Sequence, residues 1–217
     1  MKLKEKTIPG LHDFIIESIF SRYAFQKGRA IDLGAGSGAF ALRLAQCGFE
    51  TYAVDSNPKD YQVEAPFIQI NLNDPEFSRL ANLSDFDLVT AIEIIEHLES
   101  PISFLRNIKR LLKPDGIAIL TTPNMNGIPS RASLFLRGKL HMMDEKTPNH
   151  ITPIFYELFV EKYLPLAGLK LIDYRFYPLK GYKVSPRVYH AAFWILQNVL
   201  WGRALEGEIS VYVVQRA

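Results

Sequence analysis

The stretch AIDLGAGSGAF, residues 30 to 40, constrains this chain more than any other part of it. A short apolar run of strand character meets three alternating glycines, and AFALRLAQCG then reads as a helix of good formers that stops at Gly48. Gly34, Gly36 and Gly38 permit dihedrals that a side chain restricts, and they let a ligand approach the backbone closely. The helix start behind them offers N–H donors. Strand, glycine-rich turn and helix in that order predict a binding crevice at the carboxyl end of a sheet strand.

The alternation continues. FETYAVD reads as a second strand, APFIQINL as a weaker third, DFDLVTAI as a fourth and IAILTT as a fifth. PISFLRNIKRLLKPDG, before the fifth, reads as a helix opened by proline and closed by Pro-Asp-Gly. Upstream, LHDFIIESIFSRY reads as an opening helix. Strands alternating with helices predict an α/β architecture, a parallel sheet covered on both faces. The rhythm breaks at residues 124–153, a polar, turn-rich stretch longer than a simple connection, which reads as an acceptor-site insertion or lid. IFYELFVEKYLPLAG resumes as a helix, and LKLIDYRFYP and ISVYVVQRA read as closing strands. Between them VYHAAFWILQNVLW is too short and too polar for a membrane span. Residues 178–207 read as a helical cap or interface elaboration, with a homodimer contact or a peripheral membrane contact as the roles of the apolar segment.

A chain of 217 residues, 48% hydrophobic and 22% charged, is expected to form one domain over residues 1–217. A net charge of +2 neither demands nor forbids a nucleic-acid partner. Cys47 is the single cysteine, which excludes an intrachain disulfide and a cysteine-rich zinc site. The start MKLKEKTIPGLHDF lacks the apolar stretch of a secretory signal, so the expectation is a cytoplasmic protein, with peripheral membrane association as its variant.

No Lys-Ser/Thr pair follows the glycines, which argues against a phosphate-binding P-loop. A dinucleotide reading, and with it a nicotinamide-dependent oxidoreductase, is supported by Asp55, which ends the second strand where ribose hydroxyls bind. Asp32, however, would face an anionic pyrophosphate. An adenosine ligand with a cationic amino-acid end suits that carboxylate better.

AIDLGAGSGAFALRLAQCG, AVDSNP, DFDLVTAIEIIEHLESP and LLKPDGIAILTTPN resemble, in order and spacing, the motifs of class I S-adenosylmethionine-dependent methyltransferases. The resemblance implies a Rossmann-like three-layer sandwich with a seven-stranded, mostly parallel sheet whose last strand is antiparallel, and S-adenosyl-L-methionine as cofactor. It implies a cofactor loop of Asp32, Gly34, Gly36 and Gly38, with Asp55 on the ribose diol and Ser56 beside it. Asn71, Leu72 and Asn73 would flank the adenine, and Ile92 and Glu93 the methionine portion.

AIEIIEHLES, residues 91 to 100, sets Glu93, Glu96 and His97 at helical spacing i, i+3 and i+4, where they share one face if the segment is helical. Two carboxylates and an imidazole can hold a divalent metal, though the pattern does not choose the ion. His150, in TPNHITPIF, is the candidate for a further ligand. The plainer reading is a histidine that orders the pocket. The four residues resemble the Glu-x-x-Glu-His plus distant His set of small-RNA 3′-terminal 2′-O-methyltransferases. EHLESP, FLRNIKRLLKPDG, TTPN and NHITPIFYEL resemble quinone-biosynthesis O-methyltransferases. The expectation is methyl transfer to a hydroxyl of a small-molecule or lipid-linked acceptor. His97 or His150 would take up the acceptor's proton or, with a metal present, serve as ligands. RNA is the alternative acceptor, disfavoured because Asp144 and Glu145 interrupt the charges of Arg131, Arg137, Lys139 and Lys146. A non-catalytic cofactor-binding or interaction protein is a further alternative.

Overall fold

The computed structural model describes residues 3–23, 28–80, 82–179 and 207–217. Its centre is a seven-stranded sheet in the order β3-β2-β1-β4-β5-β7-β6. The strands are β1 (Arg29–Leu33), β2 (Glu50–Asp55), β3 (Phe67–Gln69), β4 (Phe86–Ile92), β5 (Leu112–Pro123), β6 (Leu169–Tyr177) and β7 (Ile209–Arg216). Neighbours from β3 to β5 pair in parallel, and β7 runs antiparallel to both β5 and β6. The expected antiparallel last strand is therefore present.

Side-chain alternation along the strands divides the apolar core in two. On one face Ile31, Leu33, Val89, Leu120 and Val214 pack against Phe104, Leu105 and Ile108 of α4 (Pro101–Leu111) and Leu164 of α7 (Leu164–Ala167). On the other, Ala30, Leu88, Ile119 and Val213 pack against Phe40 and Leu44 of α2 (Ala39–Gln46) and Leu11 and Phe14 of α1 (Leu11–Phe14). The first helix continues past α1 as a π-helical stretch, Ile15–Phe20. Each such fully buried aliphatic side chain contributes about 1.5–3 kcal/mol of transfer free energy, so the two clusters close the three-layer sandwich.

Two local expectations shift. The third strand shortens to Phe67–Gln69 because it is an edge strand paired only with β2. Pro114-Asp115-Gly116 does not cap α4. Leu112 continues directly into β5, and the pairing with β4 slips between Phe86/Leu112 and Leu88/Ile117, which makes these residues a bulge. Glycine is required there, since a Cβ on Gly116 would stand 2.6 Å from the Phe86 carbonyl oxygen.

The strand order reverses between β1 and β4, and a crevice opens at their carboxyl ends, where α/β sheets of this kind bind ligands. The segment between β3 and β4 is tied to the sandwich by Asn107 of α4. Its Oδ1 accepts from the Ser78 amide (3.1 Å) and hydroxyl (2.6 Å). Its Nδ2 donates to the Pro75 (2.8 Å) and Ser103 (3.0 Å) carbonyls.

Residues 124–153 are not loop throughout, since α5 (Ile128–Arg137) lies within them. Of residues 178–207, positions 180–206 lie outside the described residues, and with them the apolar segment Val188–Trp201. The expected membrane contact through that segment is corrected. Among the described residues no helix is long and apolar enough to cross a membrane. The described residues give no support to that contact, to a dimer contact, or to an RNA or lipid partner.

Asn107 is fully buried and makes four hydrogen bonds, so Asn107→Ala is expected to lower the free energy of unfolding by about 2–4 kcal/mol in urea denaturation. A loss below about 0.5 kcal/mol would mean that the 75–78 segment is not held this way.

Candidate active site

The glycine turn leaves β1 with Gly34, Gly36 and Gly38 at φ 75°, 54° and 84°, all in the left-handed region. Gly34 is doubly constrained, because a Cβ there would also collide with the Ile94 side chain. The amides of the turn are largely spent on the protein. Gly34 and Ala35 donate to the Val54 carbonyl at 2.7 and 3.0 Å, and Gly36 donates to the Asp55 carboxylate at 2.9 Å. At Gly34, Ala35 and Gly36 the turn therefore offers shape and close approach, as expected of its glycines, rather than free N–H groups.

Below it Asp32 is 3% exposed, and its carboxylate accepts a 2.7 Å hydrogen bond from the Thr90 hydroxyl on β4. Burial pushes its pKa up to about 7, only partly offset by that bond. Asp55 at the end of β2 accepts from the amides of Gly36 and Asn57, each at 2.9 Å.

One cleft, open to solvent, is lined by Asp32, Gly34, Gly36, Asp55, Ile92, Glu93 and His97. Gly38, Ser56, Asn71, Leu72 and Asn73 are not in its lining. Gly38 caps α2, and Ser56 stays beside Asp55, its hydroxyl 3.5 Å from that carboxylate. Asn71 accepts from the Asn73 amide at 3.0 Å, Asn73 accepts from the Glu99 amide at 2.9 Å, and Leu72 packs on the core. Sequence reasoning missed Lys4, Lys6, Thr7 and His12, which line the cleft from the N-terminal segment. The only signal there was a basic start, and charge alone does not say where a segment packs.

Glu93, Glu96 and His97 do not share a helix face. Glu93 leaves β4 at φ 55°, a left-handed conformation uncommon for a residue with a side chain. The Thr121 hydroxyl holds it there, accepting from the Glu93 amide at 2.9 Å and donating to its carboxylate at 2.8 Å. Burial raises the Glu93 pKa to about 7. Only Ile95–His97 is helical, as a single 3₁₀ turn.

Glu96 is 1% exposed and neither carboxylate oxygen has a hydrogen-bond partner. The Thr122 hydroxyl beside it, also unpartnered, favours the ionised form without reaching bonding geometry. Burial, and then the charge of Glu93, push the Glu96 pKa well up. The Glu96 carbonyl accepts from the amides of Ile151 (2.9 Å) and Thr152 (3.0 Å), which brings His150 alongside. The rings of His97 and His150 meet edge-on, 4.7 Å apart. His97 Nδ1 is 2.9 Å from the Asn149 carbonyl oxygen and His150 Nδ1 is 2.7 Å from that of Met142. A carbonyl only accepts, so each Nδ1 carries the proton and each Nε2 keeps its lone pair. Backbone carbonyls orient metal-binding histidines in this way.

Ligand atoms of Glu96, His97 and His150 lie within 4.8 Å of one another, close enough together to be candidates for a shared divalent cation. An unpartnered buried carboxylate and two imidazole lone pairs fit such an ion. Glu93, expected as a fourth ligand, stands outside this group, its carboxylate engaged by Thr121.

A family model described as "Methyltransferase domain" matches residues 10–174. The ubiquinone biosynthesis O-methyltransferase of Rickettsia canadensis (strain McKiel) is 32% identical over 118 residues, 52% of this chain and 50% of that protein. The enzyme of the same name from Rickettsia typhi (strain ATCC VR-144 / Wilmington) is 33% identical over 118 residues, 52% of this chain and 48% of that protein. The chain thus spans about half the length of the curated relatives it matches. Among solved structures, an S-adenosylmethionine-dependent methyltransferase from Clostridium acetobutylicum ATCC 824 superposes with TM-score 0.64 at 15% identity, covering 98% of this chain and 93% of that one. A SAM dependent methyltransferase from Archaeoglobus fulgidus gives 0.62 at 18% identity, covering 94% and 93%. At such identities the likeness shows the fold.

The raised pKa values have a definite sign. The folded protein binds more protons than the unfolded chain between the ordinary carboxylate range and about pH 7, so their contribution to stability is complete below that window and lost as pH rises through it. Asp32→Asn keeps an acceptor for Thr90 and removes the buried charge. Without ligand it is expected to be about 1–3 kcal/mol more stable than the parent at pH 8, with the difference falling to less than half of that at pH 4.5, in urea unfolding at the two pH values. An equal difference at both would refute the assignment.

Proposed function

This chain belongs to the methyltransferase-domain family, and on that premise we propose that it transfers a methyl group from S-adenosylmethionine to a hydroxyl acceptor, assisted by a divalent cation. The observation that carries the reading is the position of His97, which borders both the cleft over Asp32 and the group formed with Glu96 and His150. A cofactor in the cleft and an acceptor at the cation group would thus be neighbours, as direct displacement demands.

When bound, S-adenosylmethionine supplies an electrophilic methyl on its sulfonium, and a divalent cation lowers the pKa of an acceptor hydroxyl. The chain's own residues supply the rest. Asp32, buried and reluctant to ionise alone, is stabilised as a carboxylate by an ammonium group brought into the cleft. A pyrophosphate would instead oppose that ionisation, and with the amides of Gly34, Ala35 and Gly36 spent this disfavours the dinucleotide alternative. Asp55 at the rim still has acceptor capacity for a ribose diol. Glu96, His97 and His150 hold the cation, their carbonyl-anchored rings presenting Nε2. A liganded Nε2 accepts no proton, so general-base catalysis by these histidines and their role as ligands exclude each other. The unpartnered oxygens of Glu96 favour the ligand role, in which the proton of a hydroxyl acidified by the cation would pass to solvent water before the methyl is transferred.

Two measurements test this. Calorimetric titration of the full chain with Mn²⁺ is expected to show one site, weakened at least about tenfold in Glu96→Gln and His150→Ala. Labelled-methyl transfer from S-adenosylmethionine to simple catechols is expected to stop with chelator and to fall at least about 100-fold in His150→Ala, with S-adenosylhomocysteine affinity changed less than about threefold. Transfer that survives chelation would overturn the cation's role. Failure to bind S-adenosylhomocysteine would overturn the whole reading.

A further inference from the structure

Two of the three candidate ligands are aimed by the fold, and the third is not. His97 and His150 are each oriented by a backbone carbonyl at Nδ1, 2.9 Å and 2.7 Å away. Glu96 has its own carbonyl clasped by the amides of Ile151 and Thr152, yet no hydrogen bond reaches its carboxylate to fix the side-chain torsions. When one oxygen of a carboxylate ligates an ion, a donor on the other oxygen is what holds the group in place.

The adjacent threonines of β5 show what such a donor looks like. Side chains alternate along a strand, so Thr121 and Thr122 point to opposite faces of the sheet. Thr121 serves Glu93, accepting from its amide at 2.9 Å and donating to its carboxylate at 2.8 Å. Thr122 lies beside Glu96, 1% exposed, and its hydroxyl has no partner. Behind it a row of hydroxyls continues across the sheet. Thr122 stands directly opposite Ser210 of β7, a position where Cβ atoms are about 4.5–5.5 Å apart. The Ser210 hydroxyl is in turn 3.1 Å from that of Tyr174 on β6. Tyr212, two residues along β7 and so on the same face, is buried with its hydroxyl near Ser210 and unpartnered. Among the described residues seven buried side-chain atoms lack a hydrogen-bond partner, and four of them belong to Glu96, Thr122 and Tyr212. Each such atom is costly to bury, so their concentration beside a candidate ligand calls for a partner.

A hydroxyl has one proton to donate and two lone pairs to accept with. With the Tyr174 proton directed to Ser210, the Ser210 proton to Thr122 and the Thr122 proton to Glu96, every donor in the row points toward the carboxylate. Each bond polarises the next, and the last donor is strengthened where it meets the anion. We propose that Thr122 is the positioning residue of the cation group, its hydroxyl donating to the Glu96 oxygen turned away from the ion, with Ser210 and Tyr174 holding that hydroxyl in place. This inference rests on the divalent-cation reading above. Thr122 touches neither cation nor acceptor in this role, and it acts through Glu96.

The test is calorimetric titration of the full chain with Mn²⁺, alongside titration with S-adenosylhomocysteine and urea unfolding without metal. Thr122→Val keeps the shape and removes the hydroxyl. It is expected to weaken Mn²⁺ about tenfold while S-adenosylhomocysteine affinity changes by less than about twofold. Thr122→Ser restores the hydroxyl and is expected to bring Mn²⁺ affinity back to within about threefold of the parent. Ser210→Ala, one step further along the row, is expected to weaken Mn²⁺ about threefold. Metal-free Thr122→Val is expected to unfold at a urea midpoint no lower than the parent's, because the hydroxyl it removes is buried and unpartnered. A threonine that only packs gives the reverse pattern, a lower midpoint with unchanged Mn²⁺ affinity, and that result would overturn the inference. So would unchanged Mn²⁺ affinity in either Thr122→Val or Ser210→Ala, or a Thr122→Ser variant as weak as Thr122→Val. If Thr122→Val does not fold, Ser210→Ala decides alone. Absence of Mn²⁺ binding by the unmodified protein would bring down the cation reading and this inference with it. Equal binding by the parent and Thr122→Val would remove this inference and leave that reading standing.

Discussion

The hydrogen bond between Asp32 and Thr90 joins β1 to β4 at the point where the strand order reverses, and the cleft is built around it. A carboxylate at 3% exposure is unfavourable as an ion, and one short bond from a hydroxyl offsets only part of that. The sheet tolerates it because apolar packing on both faces over-determines the position of the two strands. What results is a site held ready for positive charge, at some cost to the ligand-free protein, and the glycine turn above it leaves room for that charge to arrive.

The second acidic centre follows the same logic. Glu96 is buried without partners, with Glu93 close enough to raise its pKa further. Such an arrangement is weak as a structural device, because the desolvation of a buried carboxylate is offset here by no hydrogen bond. The imidazoles are anchored through Nδ1 to backbone carbonyls, so little side-chain entropy remains to be lost on binding. His97 belongs both to the cleft lining and to the group with Glu96 and His150, so the sheet edge that carries Asp32 also fixes the distance between the two.

The architecture was legible because its signals are local. Alternating apolar strands and amphipathic helices, and glycines where the backbone turns left-handed, are visible within a dozen residues, and the sheet follows from them. The Glu93, Glu96 and His97 spacing was legible as a cluster and misleading as geometry, because it presumed a helix where the chain makes a strand end and a single 3₁₀ turn. Thr121, on the neighbouring strand, captures Glu93 and removes it from the cation group. The N-terminal segment carried no periodic signal, since its place comes from contacts with Ser37, Arg43, Asp60 and Tyr177, all distant in sequence.

By itself the sequence determined the α/β class, the turn at Gly34 to Gly38 and the two strand-end carboxylates Asp32 and Asp55, since propensity, pattern and turn chemistry act over a few residues. Only the tertiary structure decided which of the acidic residues meets His97 and His150, and that the N-terminal segment closes the same cleft from the other side. The amides of Ile151 and Thr152 clasp the Glu96 carbonyl, and Ser37 and Tyr177 fasten the N-terminal segment at both ends. Both are long-range contacts, the first between backbone groups and the second from side-chain hydroxyls to backbone carbonyls, between partners that the sheet and its helices bring together.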